Sequence, residues 1–448
     1  MTASTVETLI LGAGLSGLSA AYHLGSAFHV LEKSDRPGGL CRSEVVHTEL
    51  GDFTFDATGH WLHLRDPEVR ALVDRLLPDH FVSIERKARI YSHGVYTHYP
   101  YQVNTHGLPA EVVSELLLGF HEAHFGEKGK PYREREPQTF ADFILKYLGE
   151  GFAKHFMFPY NTKLYTVPPS ELSAAWCGRF VPKPTLTQVV NGALGISSDS
   201  LGYNARFIYP KQGGIETLPR GFVGPVQKLG PLECNTEPVA IDWRKKQATL
   251  RDGRVITYRN LISSIPPQAL VGLLRAGGDV PDEVDRASKK LRAVWTTYVN
   301  VGARGGTRDC HWVYFPEQEF AFYRAGVPSV THPPTAPNGT CSFYVEFSKQ
   351  MAEYDHRRAE REAVEGLVRC GMLKSADSVL FAQARTVPNS YVLYDKDYGE
   401  ARTTIVKFLE AAGIEPVGRY GKWEYSSMED AILQGREAAR KIQARRAA

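Results

Sequence analysis

The chain has 448 residues, 43% hydrophobic and 23% charged, which is enough for two to three domains and too apolar for a disordered protein. Its 53 basic side chains exceed the 50 acidic ones by three, so no basic excess marks it as a nucleic-acid binder. It contains no apolar run of the roughly 18 residues a membrane span needs. A glycine-rich turn at residue 12 leaves no room for a cleaved leader, and the expected location is the cytoplasm. Six cysteines stand far apart without a C-x-x-C pair, which predicts reduced, mostly buried thiols and no metal site. The 22 Tyr, 21 Phe and 6 Trp suit stacking on flat or sugar-like ligands as well as packing.

Residues 8–11 form an apolar run that predicts a buried strand, followed by Gly12-Ala13-Gly14-Leu15-Ser16-Gly17 and a helical pattern over 18–24. In such a strand, turn and helix, Gly12 makes the turn, Gly14 admits a pyrophosphate, and Gly17 lets helix pack on strand. The helix N-terminus then offers free N–H groups to the phosphate. A second strand over 28–31 ends at Glu32, placed along the chain where a carboxylate takes the ribose hydroxyls of a dinucleotide. The following Arg36-Pro37-Gly38-Gly39-Leu40-Cys41-Arg42 resembles the R-x-G-G loop of the glutathione-reductase-like FAD proteins. That resemblance makes FAD the expected cofactor. No second G-x-G-x-x-G motif occurs, so a dedicated NAD(P) domain is not expected and an external electron donor such as NAD(P)H would be a partner. Gly302-Ala303-Arg304-Gly305-Gly306 has the wrong spacing and reads as a hairpin turn after a strand over 296–301.

Farther along, helical periodicity marks 110–120 and 140–147, separated by a polar loop over 126–138, and a glycine-rich segment covers 191–203. Strands are predicted over 239–242, 247–250, 255–258 and 261–265, with Asp252-Gly253 as a hairpin signal. A sheet is predicted from strands over 293–301, 310–315, 320–324 and 341–347, with a helix over 353–369. Helices over 400–412 and 428–446 close the chain; the basic end of the last, Arg436, Arg440, Lys441, Arg445 and Arg446, reads as a solvated helix end. The fold class expected is α/β: a discontinuous Rossmann-like FAD-binding domain (1–85, 205–290, 405–448), a helical substrate domain (107–204) and an antiparallel β-sheet domain (86–106, 291–404).

From residue 155 the resemblance narrows. Tyr160-Asn161-Thr162-Lys163-Leu164-Tyr165, with Glu171-Leu172 and Arg179, resembles the substrate segment of the UDP-galactopyranose mutases, whose second aromatic is usually Trp and is Tyr165 here. Thr58-Gly59-His60-Trp61-Leu62-His63 is similar to the family's flavin-side His loop, Tyr99-Pro100-Tyr101-Gln102 to its Y-P-F-N strand, and Tyr209-Pro210-Lys211-Gln212-Gly213-Gly214 to its P-x-G-G turn. Trp312-Val313-Tyr314-Phe315-Pro316 with Phe322-Tyr323-Arg324 resembles a block of the eukaryotic-type mutases. Tyr391 and Gly418-Arg419-Tyr420-Gly421-Lys422-Trp423-Glu424-Tyr425 extend the likeness over most of the chain. Two departures stand out. Ser427 occupies the place of an Asp found in many bacterial mutases, and the Y-P pair is Tyr391-Val392.

The resemblance implies a flavin-dependent interconversion of pyranose and furanose forms of a UDP-sugar or related nucleotide-sugar, through an adduct between N5 of reduced flavin and the sugar. His60, Arg179 and Arg324 would be catalytic, the two arginines neutralising the departing diphosphate. Tyr101, Tyr160, Tyr165, Tyr391 and Tyr425 would contact the substrate, and Leu40, Arg42, His60, Val239, Gly418, Arg419 and Met428 would join the glycines and Glu32 around FAD. Taken singly, the tyrosines read equally well as core aromatics, while surface ion pairs are the lesser alternative for the arginines. An FAD oxidase of the protoporphyrinogen or amine oxidase type, which shares the N-terminal fingerprint, and a flavin-binding scaffold without turnover are the alternative readings.

Overall fold

The computed structural model describes residues 3–196 and 206–447, without the side chains of Ala3, Arg179, Phe180 and Ala447. Among the described residues two seven-stranded sheets carry the architecture. In the first, Ala3–Leu11 lies between Phe28–Leu31 and Val255–Ser263, parallel to both. Both of its faces are covered: Ile10 enters a core with helices Leu15–Leu24, Thr217–Leu229 and Met428–Ala447, while Leu9 and Leu11 enter one with Pro267–Gly277, Asp282–Lys290 and Tyr398–Ala411. Such burial on two sides is why the strand reads as one continuous apolar run.

The two strands expected over 255–258 and 261–265 are one element, Val255–Ser263. Its first half pairs antiparallel with Gln247–Leu250 across the Asp252-Gly253 turn, and its second half pairs parallel with Ile414–Pro416. Polar Arg259 and Asn260 interrupt the apolar pattern at the change of partner without breaking the backbone.

The second sheet runs in the order Val379–Val392, Ala293–Arg304, Thr340–Gln350, Arg324–Gly326, Trp312–Tyr314, Ala88–Ser92, Val95–His98. It is antiparallel except where Trp312–Tyr314 pairs parallel with Ala88–Ser92. Alternation along Thr340–Gln350 sends Phe343, Val345 and Phe347 into a core that also holds Ala359, Ala363 and Leu367 of helix His356–Arg369. Ser342, Tyr344 and Glu346 take the opposite face. No hairpin turn forms at 302–306: the strand continues to Arg304 and pairs with Thr340–Gln350 and Val379–Val392. Gly302 is required inside it because a Cβ there would overlap the Phe381 ring. Val379–Val392 is absent from the sequence-based expectation; it is an edge strand, and Pro388 and Asn389 fall at its bulge, where the ladder tolerates them.

A helical layer built on Ala110–Phe125, Phe140–Tyr147, Gly149–Phe152 and Leu186–Leu194 packs against one end of the second sheet, sharing a core with Val294, Tyr323 and Leu393. Thr139 with Asp142, and Thr185 with Gln188, form capping boxes that start two of these helices. The expected loop 126–138 contains the short helix Lys130–Arg133. Within the glycine-rich stretch 191–203, the part up to Leu194 ends a helix and 197–203 lie outside the described residues.

Candidate functional site

Two neighbouring constructions make the site. The first is the glycine cradle. Gly12 turns the chain at φ +93° and donates its amide to the Leu31 carbonyl at 2.8 Å. A Cβ on Gly17 would overlap the Gly12 carbonyl oxygen, so the packing of helix on turn accounts for Gly17. Gly14 is different, because a Cβ there would meet only Gly39 Cα, at 3.7 Å. The chain's own packing leaves this position free, which fits a backbone kept bare for a pyrophosphate. The Gly38-Gly39 loop lies on the turn: Gly38 N–H donates to Ala13 O at 2.9 Å, and a Cβ on Gly39 would press on Gly14 Cα at 3.0 Å.

Glu32 is buried and accepts the amides of Ala13 at 2.8 Å and Ser34 at 2.9 Å, which aims its carboxylate at the cradle. Leu40, half-buried, follows the Gly38-Gly39 loop and accepts the Arg42 amide at 2.9 Å. Arg42 donates through Nη2 to Arg36 O, while its Nε and the Ser263 Oγ are buried without a partner among the described residues. Across the cradle, Gly418 donates to Gln434 Oε1 at 2.7 Å and has no space for a side chain beside Ser16. Met428 opens the final helix and packs on the same core. Val239, at a bulge of strand Pro238–Asp242, is exposed; that strand follows Thr236, whose amide donates to Glu32 O. These groups fit a dinucleotide lying along the turn.

The second construction is a chamber of tyrosines around two guanidiniums. Arg324 donates through Nε at 2.6 Å and Nη2 at 2.9 Å to the two carboxylate oxygens of Glu346, which is fully buried, and Tyr391 Oη stands 3.5 Å from Nη2. Burial works against the Arg324 charge, but Glu346 overcomes it and holds the guanidinium well above its ordinary value. Arg419 lies 4.7 Å from the ring of Tyr425 and 5.5 Å from that of Tyr391, and these two rings stack at 6.4 Å. Its Nη1 and Nη2 donate to the carbonyls of Ser426 and Ser390. Tyr165 meets Tyr391 edge-on at 6.4 Å, and Tyr160 meets Tyr314 at 5.4 Å and Tyr323 at 6.4 Å. Burial raises Tyr160, Tyr165 and Tyr391 above the ordinary tyrosine value, so all three stay neutral.

His60 borders this chamber. Burial pushes it down to about 4, opposed by the Thr58 carbonyl and reinforced by Arg419 and Arg324. It is neutral at pH 7. The Thr58 carbonyl, 3.4 Å from Nδ1, can only accept, which places the proton on Nδ1 and leaves Nε2 as an acceptor. Gly59 beside it packs on Tyr344, and a side chain at Gly59 or Gly326 would collide with that phenol.

Several expectations change. Tyr101 does not face the chamber: it is fully buried, stacks on Phe156 at 4.8 Å with its hydroxyl 3.4 Å from Ser92 Oγ, and Phe156 in turn stacks on Tyr160. It supports Tyr160 from behind. Arg179 sits in the short helix Cys177–Phe180, and its side chain lies outside the described residues. Ser427 is the N-cap of the last helix, its Oγ and N–H bonded to Asp430 and the Asp430 amide to Ser427 Oγ. The basic helix end is paired rather than merely solvated: Arg436 meets Asp66 and Glu68, Lys441 meets Glu415, and Arg446 meets Glu7. Glu346 was missed. One carboxylate in the otherwise apolar run Cys341-Ser342-Phe343-Tyr344-Val345-Glu346-Phe347 signals a buried charge that needs a partner.

Residues 15–443 match the family described as flavin containing amine oxidoreductase. A probable flavin-containing monoamine oxidase A of Dictyostelium discoideum is 24% identical over 309 residues, 64% of this chain and 62% of that protein. The chain thus matches less than two thirds of the length of this curated relative. A crystal structure of reduced UDP-galactopyranose mutase superposes with a TM-score of 0.89 at 25% identity, covering 98% of this chain and 94% of the other. Cyclohexylamine oxidase from Brevibacterium oxydans IH-35A gives a TM-score of 0.65 at 14% identity, covering 99% of this chain and 100% of the other, a likeness of fold alone. Cradle, fold and family agree on FAD as the cofactor, and the chain belongs to the flavin containing amine oxidoreductases.

Proposed function

We propose that the protein is a flavin-dependent nucleotide-sugar mutase that interconverts the pyranose and furanose forms of a UDP-sugar or a related nucleotide-sugar. One observation carries this reading: Tyr160, Tyr165, Arg324, Tyr391 and Tyr425, drawn from distant parts of the chain, converge beside His60 and Arg419. The likeness to UDP-galactopyranose mutase supports it.

The charge balance also supports this reading over amine oxidation. Glu346 neutralises Arg324, but no carboxylate pairs with Arg419 among the described residues, so the chamber carries net positive charge. That field repels a substrate ammonium and favours a diphosphate. Arg324, gripped by Glu346 through Nε and Nη2, keeps Nη1 as its donor toward such a group. Arg179 would be the second diphosphate ligand. The tyrosine rings bind and orient the sugar and exclude water, while neutral His60 offers an acceptor rather than a proton. Bound and reduced, FAD supplies an electron-rich nitrogen able to attack carbon.

Substrate and product of such a reaction are isomers, so no electrons leave the site. Dithionite-reduced protein under anaerobic conditions is expected to isomerise a UDP- or dTDP-hexose, and the oxidised protein to do nothing. Anaerobic bleaching by an amine or a porphyrinogen, with peroxide released on admission of air and no isomer formed from any hexose nucleotide, would establish the oxidase reading that the family relatives favour.

A further inference from the structure

Lys163 lies on helix Phe158–Tyr165, between Tyr160 and Tyr165 in sequence. Its ammonium does not join their chamber. Nζ donates to three main-chain carbonyls, Phe315 at 2.8 Å, Glu317 at 2.6 Å and Phe322 at 3.2 Å. An ammonium has three N–H donors, and all three are used. The carbonyls bracket the loop between Trp312–Tyr314 and Arg324–Gly326, and Phe315 N–H closes the same loop on Tyr323 O at 3.0 Å. Tyr323 N–H in turn donates to Glu346 O, and Glu346 grips Arg324. One side chain therefore ties the helix bearing Tyr160 and Tyr165 to the loop that delivers Tyr323 and Arg324. Compact tetrahedral donors suit three converging carbonyls, and a planar guanidinium does not.

We propose that Lys163 is a positioning residue that sets the separation between the aromatic helix and Arg324 and thereby the affinity for a nucleoside diphosphate. The role rests on the nucleotide-sugar reading of the chamber. Burial pushes Lys163 down to about 7, opposed by Glu317 and Glu319, the charged groups facing it. Above that pH the ammonium loses one donor and its charge, and the tie slackens. UDP-glucose is a suitable probe because its diphosphate has no group titrating near pH 7.

The test compares FAD-loaded wild type with Lys163→Met and Lys163→Arg. Amide hydrogen exchange across 313–326 is expected to rise in both variants while 8–24, in the cradle, stays protected. UDP-glucose affinity at pH 6.5 is expected to fall about tenfold in Lys163→Met, the equivalent of one hydrogen bond to a charged group. Wild-type affinity is expected to fall between pH 6 and 8, with Lys163→Met flat over the same range. Unchanged exchange across 313–326 would overturn the tie itself. Raised exchange with unchanged affinity would reduce Lys163 to a purely structural role and overturn the proposal. If wild type fails to bind UDP-glucose or UDP at any pH, the nucleotide reading falls and the diphosphate role with it, a failure distinguished by appearing before any variant is made.

Discussion

The glycine cradle and the tyrosine chamber sit side by side and are built on opposite principles. The cradle is local: Gly12, Gly14, Gly17, Glu32, Gly38 and Gly39 fall within one short stretch, and all but Gly14 are accounted for by backbone geometry or by a neighbour in that stretch. The chamber is assembled from segments around residues 60, 160, 324, 346, 391 and 425, and its geometry depends on side-chain pairs such as Arg324 with Glu346. The former is recognisable from spacing alone. The latter can change its ligand by small substitutions without touching the cofactor fold.

The comparison breaks most sharply at two glycines. Gly17→Ala drives a Cβ into the Gly12 carbonyl and is expected to abolish both FAD binding and stable folding. Gly14→Ala meets only Gly39 Cα at 3.7 Å, so the FAD-free protein should melt as wild type does while failing to take up FAD. Calorimetry with and without FAD separates the two. Equal melting shifts for both variants would mean that Gly14 too is explained by packing within the chain.

In the chamber, Arg324→Ala strips a buried carboxylate of its partner and is expected to cost about 3 to 5 kcal/mol of stability, measurable by urea unfolding. A simple loss of UDP affinity in that variant would therefore be ambiguous. The double change Arg324→Met with Glu346→Gln removes both charges and should recover much of the stability while leaving UDP binding weak.

His60 gives the pH dependence. Its folded value of about 4 lies below the ordinary 6.5, so on acidification the unfolded chain takes up this proton first. Stability from this group is complete above pH 6.5 and is lost as pH falls toward 4, by about 3 kcal/mol in all. His60→Gln should remove that part of the slope between pH 6.5 and 4, and the pH profile of turnover should show no His60 titration between pH 5 and 8.

The smallest effect belongs to Ser427. Ser427→Ala loses the N-cap of the final helix and should cost about 1 kcal/mol with UDP-sugar binding unchanged. A change in sugar preference without loss of stability would return Ser427 to the chamber.

Much of this was written in local spacing. The turn at Gly12, strand Phe28–Leu31 and helix Phe140–Tyr147 follow from periodicity, glycine placement and a Thr139 cap, because those features govern neighbouring φ and ψ and one buried face. Resemblance along the chain likewise pointed to FAD, and it named four tyrosines, Tyr160, Tyr165, Tyr391 and Tyr425, that the fold draws into one region.

Only the tertiary structure decided which side chains meet. Tyr101 and Tyr160 look equivalent in sequence, yet one is a buried support and the other borders the chamber. Arg324 reads as a diphosphate ligand or a surface ion pair, and only the fold shows it gripped by the buried Glu346 of the adjacent strand. Ser427 reads as a missing carboxylate and serves as a cap. The physical reason is range: backbone conformation is set by residues a few positions apart, whereas the partner of a buried charge or ring is set by sheet register and layer packing, which join segments that no local pattern relates.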